Sequence, residues 1–158
     1  MKSVLLLLAG LVLYSCKPSN PVPTKQDIPA IKDSIAIVFL TWSDQFESLS
    51  VEGIMEYMAD DDEVIWASDG SITMGHEDIG DWMKETLSPI ENWNYTKYGE
   101  ATISVLGFDA AVHTVDFEES LTLSTGDTIV VKGVWTNVFK RIEGDWKIIN
   151  SAASYLAD

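Results

Sequence analysis

The chain has 158 residues, enough for one ordinary globular domain and too few for two. Ten Lys+Arg stand against 25 Asp+Glu, a formal net charge of −15, so the basic footprint that nucleic-acid backbones require is missing. One Cys and two His exclude an internal disulfide, a cysteine-based zinc site and a three-histidine metal site within the chain, while 46% hydrophobic residues suit a packed core rather than a disordered chain.

Residues 1–15 read as a signal peptide. Lys2 supplies a positive start and Val4 to Leu13 an apolar run, too short to span a bilayer, which needs about 20 apolar residues. The run ends in Leu13-Tyr14-Ser15-Cys16. This resembles the lipobox of bacterial lipoproteins, which implies cleavage before Cys16, acylation of that Cys and a lipid-anchored, extracytoplasmic address in the cell envelope. Residues 16–26 follow as a tether: Pro18, Pro21 and Pro23 keep such a chain extended and unable to build a core. With a strongly acidic domain behind it, the lipid rather than the protein surface would hold the molecule at a membrane.

The domain proper is expected over residues 27–158. Asp27 with Pro29 in the first turn predicts a helix start. Ile28, Ile31, Ile35, Val38, Trp42, Phe46 and Leu49 then recur at the three- and four-residue spacing of one buried stripe. Ser50 can cap a second short helix carrying Val51, Ile54, Met55 and Met58 on one side. Asp60-Asp61-Asp62-Glu63 ends it; these four acids lack the spacing of a cation-binding loop and read as a solvated helix end. A short strand, residues 64–67, leads to a turn at Ser68-Asp69-Gly70. A third helix starts after Gly75, buries Ile79, Trp82, Met83 and Leu87, and stops at Ser88-Pro89.

From Trp93 onward the period changes to two. Strands are expected at 93–106, 109–123, 128–141 and 145–155, joined by short turns and therefore paired antiparallel. On strand 109–123, Ala111, His113, Val115, Phe117, Leu121 and Leu123 share the face that meets the helices; Asp116 faces away. Strand 128–141 is apolar on both faces, which predicts a central strand or an outer face that covers a partner. Trp135 and Phe139, if on the outer face, would form an apolar patch for a homodimer.

Three helices followed by a long antiparallel sheet resemble the cone-shaped nuclear transport factor 2-like fold, an α+β architecture. Local motifs resemble its SnoaL-like branch: Tyr57 to Trp66, Gly75-His76-Glu77-Asp78-Ile79, and the terminal hairpin from Gly133 to Ile149 with its Trp146-Lys147-Ile148. The resemblance spans roughly residues 28–155. It implies function in the concave pocket or on the outer sheet face. Many relatives end the last strand with a His two residues before a Ser; here Ala152 precedes Ser154, so no acid-base or metal role can rest on that His.

Candidate pocket residues are Trp42, Tyr57, Trp66, His113 and Asn150. His113, inward on an apolar strand face, is the candidate acid or base; a buried neutral imidazole is the plainer reading. Asn150, placed on the face of Trp146 and Ile148, could orient a ligand carbonyl. No Gly-rich phosphate loop, nucleophile elbow or HExxH points to a cofactor or metal. Three readings stay open: a tethered module binding a small, largely apolar molecule, a SnoaL- or ketosteroid-isomerase-like enzyme using His113, and an oligomerisation module acting through the outer sheet face.

Overall fold

The computed structural model describes residues 22–156. Cys16 and the signal segment lie outside the described residues. Helix α1 runs Asp27–Glu47. Asp27 does not cap it: the carboxylate instead accepts from the backbone N–H and hydroxyl of Thr24. The apolar stripe buries Ile31, Ile35, Phe39, Trp42 and Phe46, so Phe39 belongs to it while Leu49 falls in the following turn with positive φ. Helix α2 (Val51–Glu56) starts as expected, with the Ser50 hydroxyl accepting from Gly53 N–H. Such a cap satisfies one of the orphan donors at a helix start.

Strands β1 (Ile65–Ser68) and β2 (Ser71–Met74) form a hairpin. Asp69 and Gly70 both take positive φ, the signature of a two-residue type I′ turn. Helix α3 (His76–Leu87) buries Ile79, Gly80, Met83 and Leu87. Its start is set by Gly75 at φ 89, a conformation that suits glycine. The remaining strands are β3 (Ile90–Tyr98), β4 (Thr102–Val105), β5 (Ala110–Leu123), β6 (Thr128–Ile142) and β7 (Asp145–Tyr155).

The sheet order is β2-β1-β7-β6-β5-β3, with β4 also paired to β5. Strands β5, β6 and β7 pair antiparallel as expected, and β6 is central, but β1 joins β7 in parallel. The sheet is therefore mixed. The single strand expected over 93–106 is two strands. Both lie along β5, β3 against its second half and β4 against its first. The break follows Gly99, whose N–H donates to the Asp116 carbonyl while the Asp116 side chain fills the space a Cβ would take.

The core lies between the three helices and the inner sheet face. Trp135 and Phe139 point into it, at 4% and 0% exposure, which corrects their placement on the outer face: neither ring is available to a dimer contact there. Alternation from the buried Gly133 fixes this, since Gly133, Trp135, Asn137 and Phe139 share one side of β6. Among the described residues no helix is long and apolar enough to cross a membrane.

Candidate functional site

A cavity of about 330 Å³ opens between α3, the end of α1 and the inner face of the sheet. The sequence builds it from both periodicities. Phe46 ends the α1 stripe, Trp82, Met83 and Leu87 come from one side of α3, and Trp66 comes from β1. On β5 the inward alternation delivers Phe117, Glu119 and Leu121; on β6 it delivers Val131 and Trp135. Trp93 of β3 and Tyr155 at the end of β7 complete the wall. Buried Trp66, Trp135 and Phe46 mark the floor, and the exposed Asp69, Ile129 and Tyr155 mark the mouth.

The floor is a lattice of rings. Trp66 lies 5.6 Å from Trp82, Phe46 lies 5.6 Å from Trp93 and 5.2 Å from Trp135, and Phe117 lies 5.7 Å from Trp135. These tilted and edge-on arrangements are the favourable ones for aromatic pairs. Two indoles are anchored: Trp135 donates to the Ser151 hydroxyl at 3.0 Å and Trp93 to the Thr96 hydroxyl at 2.9 Å. The Trp66 indole N–H is buried without a partner.

Glu119 is the one inward-facing acid of β5. Its residue is 4% exposed, and no hydrogen bond or cation reaches its carboxyl among the described residues. Burial, with the charge of Glu47 second, pushes its pKa up to about 8, because a low-dielectric site disfavours the ionised form. Glu47 itself is held at the end of α1, accepting from the Thr96 N–H at 3.1 Å. The neighbouring Glu118 points to the opposite face, where Lys132 and Lys97 clamp it and hold its carboxyl well below the usual range. Adjacent acids on one strand thus sit in opposite environments. The cavity wall therefore offers an apolar volume and one carboxyl that is largely protonated at neutral pH, able to donate a hydrogen bond or to exchange a proton.

Of the residues singled out in the sequence, Trp66 lies on this wall. Trp42 is fully buried behind it, packed 4.8 Å from Trp135, with its indole N–H unpartnered. Tyr57 ends α2, and its carbonyl accepts from the Ile148 N–H. His113 faces inward but away from the cavity. It is 1% exposed, stacks on Phe39 at 4.0 Å, and burial lowers its pKa to about 4. A neutral imidazole buried under a phenyl ring and off the wall of this cavity is poorly placed to serve a ligand in it.

Asn150 needs a correction. A register shift in the β6–β7 ladder falls between the pairs Val138–Asn150 and Phe139–Ile148. This bulge inserts a residue and reverses the alternation. Trp146 and Ile148 face the core, as do Ser151 and Ala153 beyond the bulge. Asn150 leaves that face and lines a different cleft with Ile65 and Lys140. Glu119 was the residue missed, although its signal was available: it falls between Phe117 and Leu121 on the apolar face of an unbroken alternation.

The acidic stretch Asp60–Glu63 is exposed, and Asp61 is used locally, accepting from the N–H groups of Glu63 and His76. Among the described residues no cluster of His, Cys, Asp and Glu has the geometry to hold a metal ion.

The model of the SnoaL-like domain family matches residues 35–158. No curated sequence matches the chain. Among solved structures, a nuclear transport factor 2-like superfamily protein from Salmonella enterica superposes with a TM-score of 0.76 at 16% identity, covering 83% of this chain and 94% of that one. A hexachlorocyclohexane dehydrochlorinase from Novosphingobium barchaimii gives 0.72 at 14% identity, covering 85% and 92%. A nuclear transport factor 2-like protein from Shewanella oneidensis gives 0.64 at 17% identity, covering 78% and 98%. Identities this low establish the fold alone: helices packed on a curved sheet, the nuclear transport factor 2-like cone.

Proposed function

Because the chain belongs to the SnoaL-like domain family, we propose that its domain binds a small, largely apolar molecule in the cavity under α3, with the Glu119 carboxyl as the polar contact. One observation carries the reading: a buried carboxyl without a partner stands on a wall made mostly of aromatic and aliphatic side chains, with Asp69 out at the mouth. Burying an ionisable group unpaired is costly, and a ligand that pairs with it would offset that cost. The volume falls at the lower end of the range common for small-molecule sites.

Quenching of the wall tryptophans on titration with a library of small aromatic compounds tests this. Saturable quenching is expected in the wild type. It should be lost in Leu121→Trp, which fills the cavity. Quenching that survives in that variant would place binding elsewhere.

A second reading rests on the same carboxyl. A group with a pKa near 8 beside an apolar volume has the driving force for proton transfer at neutral pH, so this second reading assigns acid-base catalysis to Glu119 rather than His113. Turnover should then fall by a factor of at least a hundred in Glu119→Gln and stay within about threefold in His113→Phe.

The domain is further proposed to be tethered to a membrane of the cell envelope through acylated Cys16. The apolar run ending at Cys16 and the proline-bearing segment after it support this. Detergent phase partitioning of the full chain is the check: the wild type should enter the detergent phase, and Cys16→Ser should stay in the aqueous phase. An equal partition of the two would reject the anchor.

A further inference from the structure

We infer that the ligand of this cavity is an organic cation, an alkyl- or arylammonium whose charged nitrogen lies against aromatic faces and the Glu119 carboxylate. The inference rests on the small-molecule reading above and names its ligand class. Three observations carry it.

First, the charge on the wall has one sign. Glu119 and Asp69 are its carboxylic acids, and among the described residues no Lys, Arg or His lines it. Second, among the described residues no positive group faces Glu119 from any element packed around it. Glu47 approaches from α1, Tyr98 from β3, Tyr155 from β7 and Asp69 from the β1–β2 turn. Val131 is its cross-strand neighbour on β6, and Lys97 and Lys132 of the flanking strands are spent on Glu118 across the sheet. Third, the floor rings Trp66, Trp82, Trp93, Phe46 and Trp135 crowd together at centroid separations of 5.2 to 6.3 Å. Ring faces carry partial negative charge and attract cations, indole most strongly, so a cation entering the cavity meets aromatic surface on most sides of its wall.

The chemistry separates this ligand from a neutral one. A neutral acceptor would bind the protonated carboxyl and favour low pH. A cation would bind the carboxylate, so the Glu119 carboxyl must release its proton to solvent when the cation enters below about pH 8. Ligand and proton then compete.

The experiment titrates the wild type with benzyltrimethylammonium and with neopentylbenzene, its uncharged carbon isostere, following tryptophan fluorescence at pH 6 and pH 9. The cation is expected to bind at least tenfold tighter than the isostere at pH 9. That preference should shrink at least fivefold at pH 6, and calorimetry in buffers of different ionisation enthalpy should show proton release with the cation only. Glu119→Gln should abolish the pH dependence. The wild-type pH series and proton count stand by themselves if that variant does not fold. Equal or tighter binding of the isostere at both pH values would overturn the cation assignment and leave the small-molecule reading standing. Saturable binding of neither probe at millimolar concentration would overturn the assignment, and failure of the wider compound library as well would overturn the small-molecule reading.

Discussion

Glu119 and His113 lie six residues apart on the inner face of β5, and burial shifts them in opposite directions along the pH axis. Folding raises the Glu119 pKa from 4.5 to about 8. Between those values the native state holds more protons than the unfolded chain, so stability falls as pH rises, and the loss is complete above about pH 8. His113 drops from 6.5 to about 4. Its native state holds fewer protons in that window, so stability falls as pH drops from 6.5 toward 4. The two trends nearly cancel where they overlap, so the fold should be most stable on a plateau at about pH 4.5 to 6.5, falling below it with His113 and above it with Glu119. Thermal unfolding across pH 3–10 checks this. Glu119→Gln should flatten the alkaline limb, worth on the order of a few kcal/mol for a group this buried. His113→Phe should flatten the acid limb while keeping the stack on Phe39. An alkaline limb unchanged in Glu119→Gln would mean that the carboxyl ionises freely in the native state. Alternation along β5 turns both side chains inward, but only His113 stood out in the sequence. Their difference was not legible, because period two says which way a side chain points and not whether open volume or a phenyl ring waits there.

At the scale of elements, the cavity depends on a row across three strands. Phe117 of β5 and Tyr155 of β7 both pair with Gly133 of β6. Their rings meet edge to face at 5.8 Å over the missing side chain. A Cβ at Gly133 would run into the Ser154 carbonyl and the Phe117 ring, and backbone cannot yield as a flexible side-chain tip can. Gly133→Ala should therefore cost about 2 kcal/mol as an overpacked site. That corresponds to a melting temperature lower by roughly 4–8 °C for a domain of this size. Ligand binding should weaken with it, because Phe117 and Tyr155 are both wall residues. A melting point unchanged within a degree would mean that the row is loosely packed. The helices, the sheet strands from β5 onward and the central position of β6 could be read from periodicity. Strand β2 could not, since Ile72 and Met74 are both exposed and its residues show no one-sided burial. The parallel joint between β1 and β7 links residues more than 80 positions apart, and no local pattern encodes such a pairing. The β6–β7 bulge carries no Gly or Pro to announce it, which is why Asn150 changed faces.

For the molecule as a whole, two electrostatic terms oppose each other, and salt decides between them. The formal charge of −15 makes the compact state repel itself. Against this stand a few surface pairs: Lys84 with Asp81 at 2.8 Å, and Glu118 with Lys132 at 2.7 Å and Lys97 at 3.1 Å. Exposed pairs of this kind are typically worth only about 0–1 kcal/mol each. The repulsion is summed over many carboxylates spread around one small domain, and its range at low salt is about 30 Å, falling to about 8 Å at physiological ionic strength. Screening should therefore remove more repulsion than attraction. Raising sodium chloride from 10 mM to 150 mM at pH 7 should lift the melting temperature by several degrees, with most of the gain below 100 mM. A sulfate series would confound screening with surface exclusion, so the chloride series is the cleaner test. If melting instead falls with added chloride, the Glu118 clamp and its neighbours outweigh the summed repulsion, and Glu118→Gln should then abolish the salt dependence.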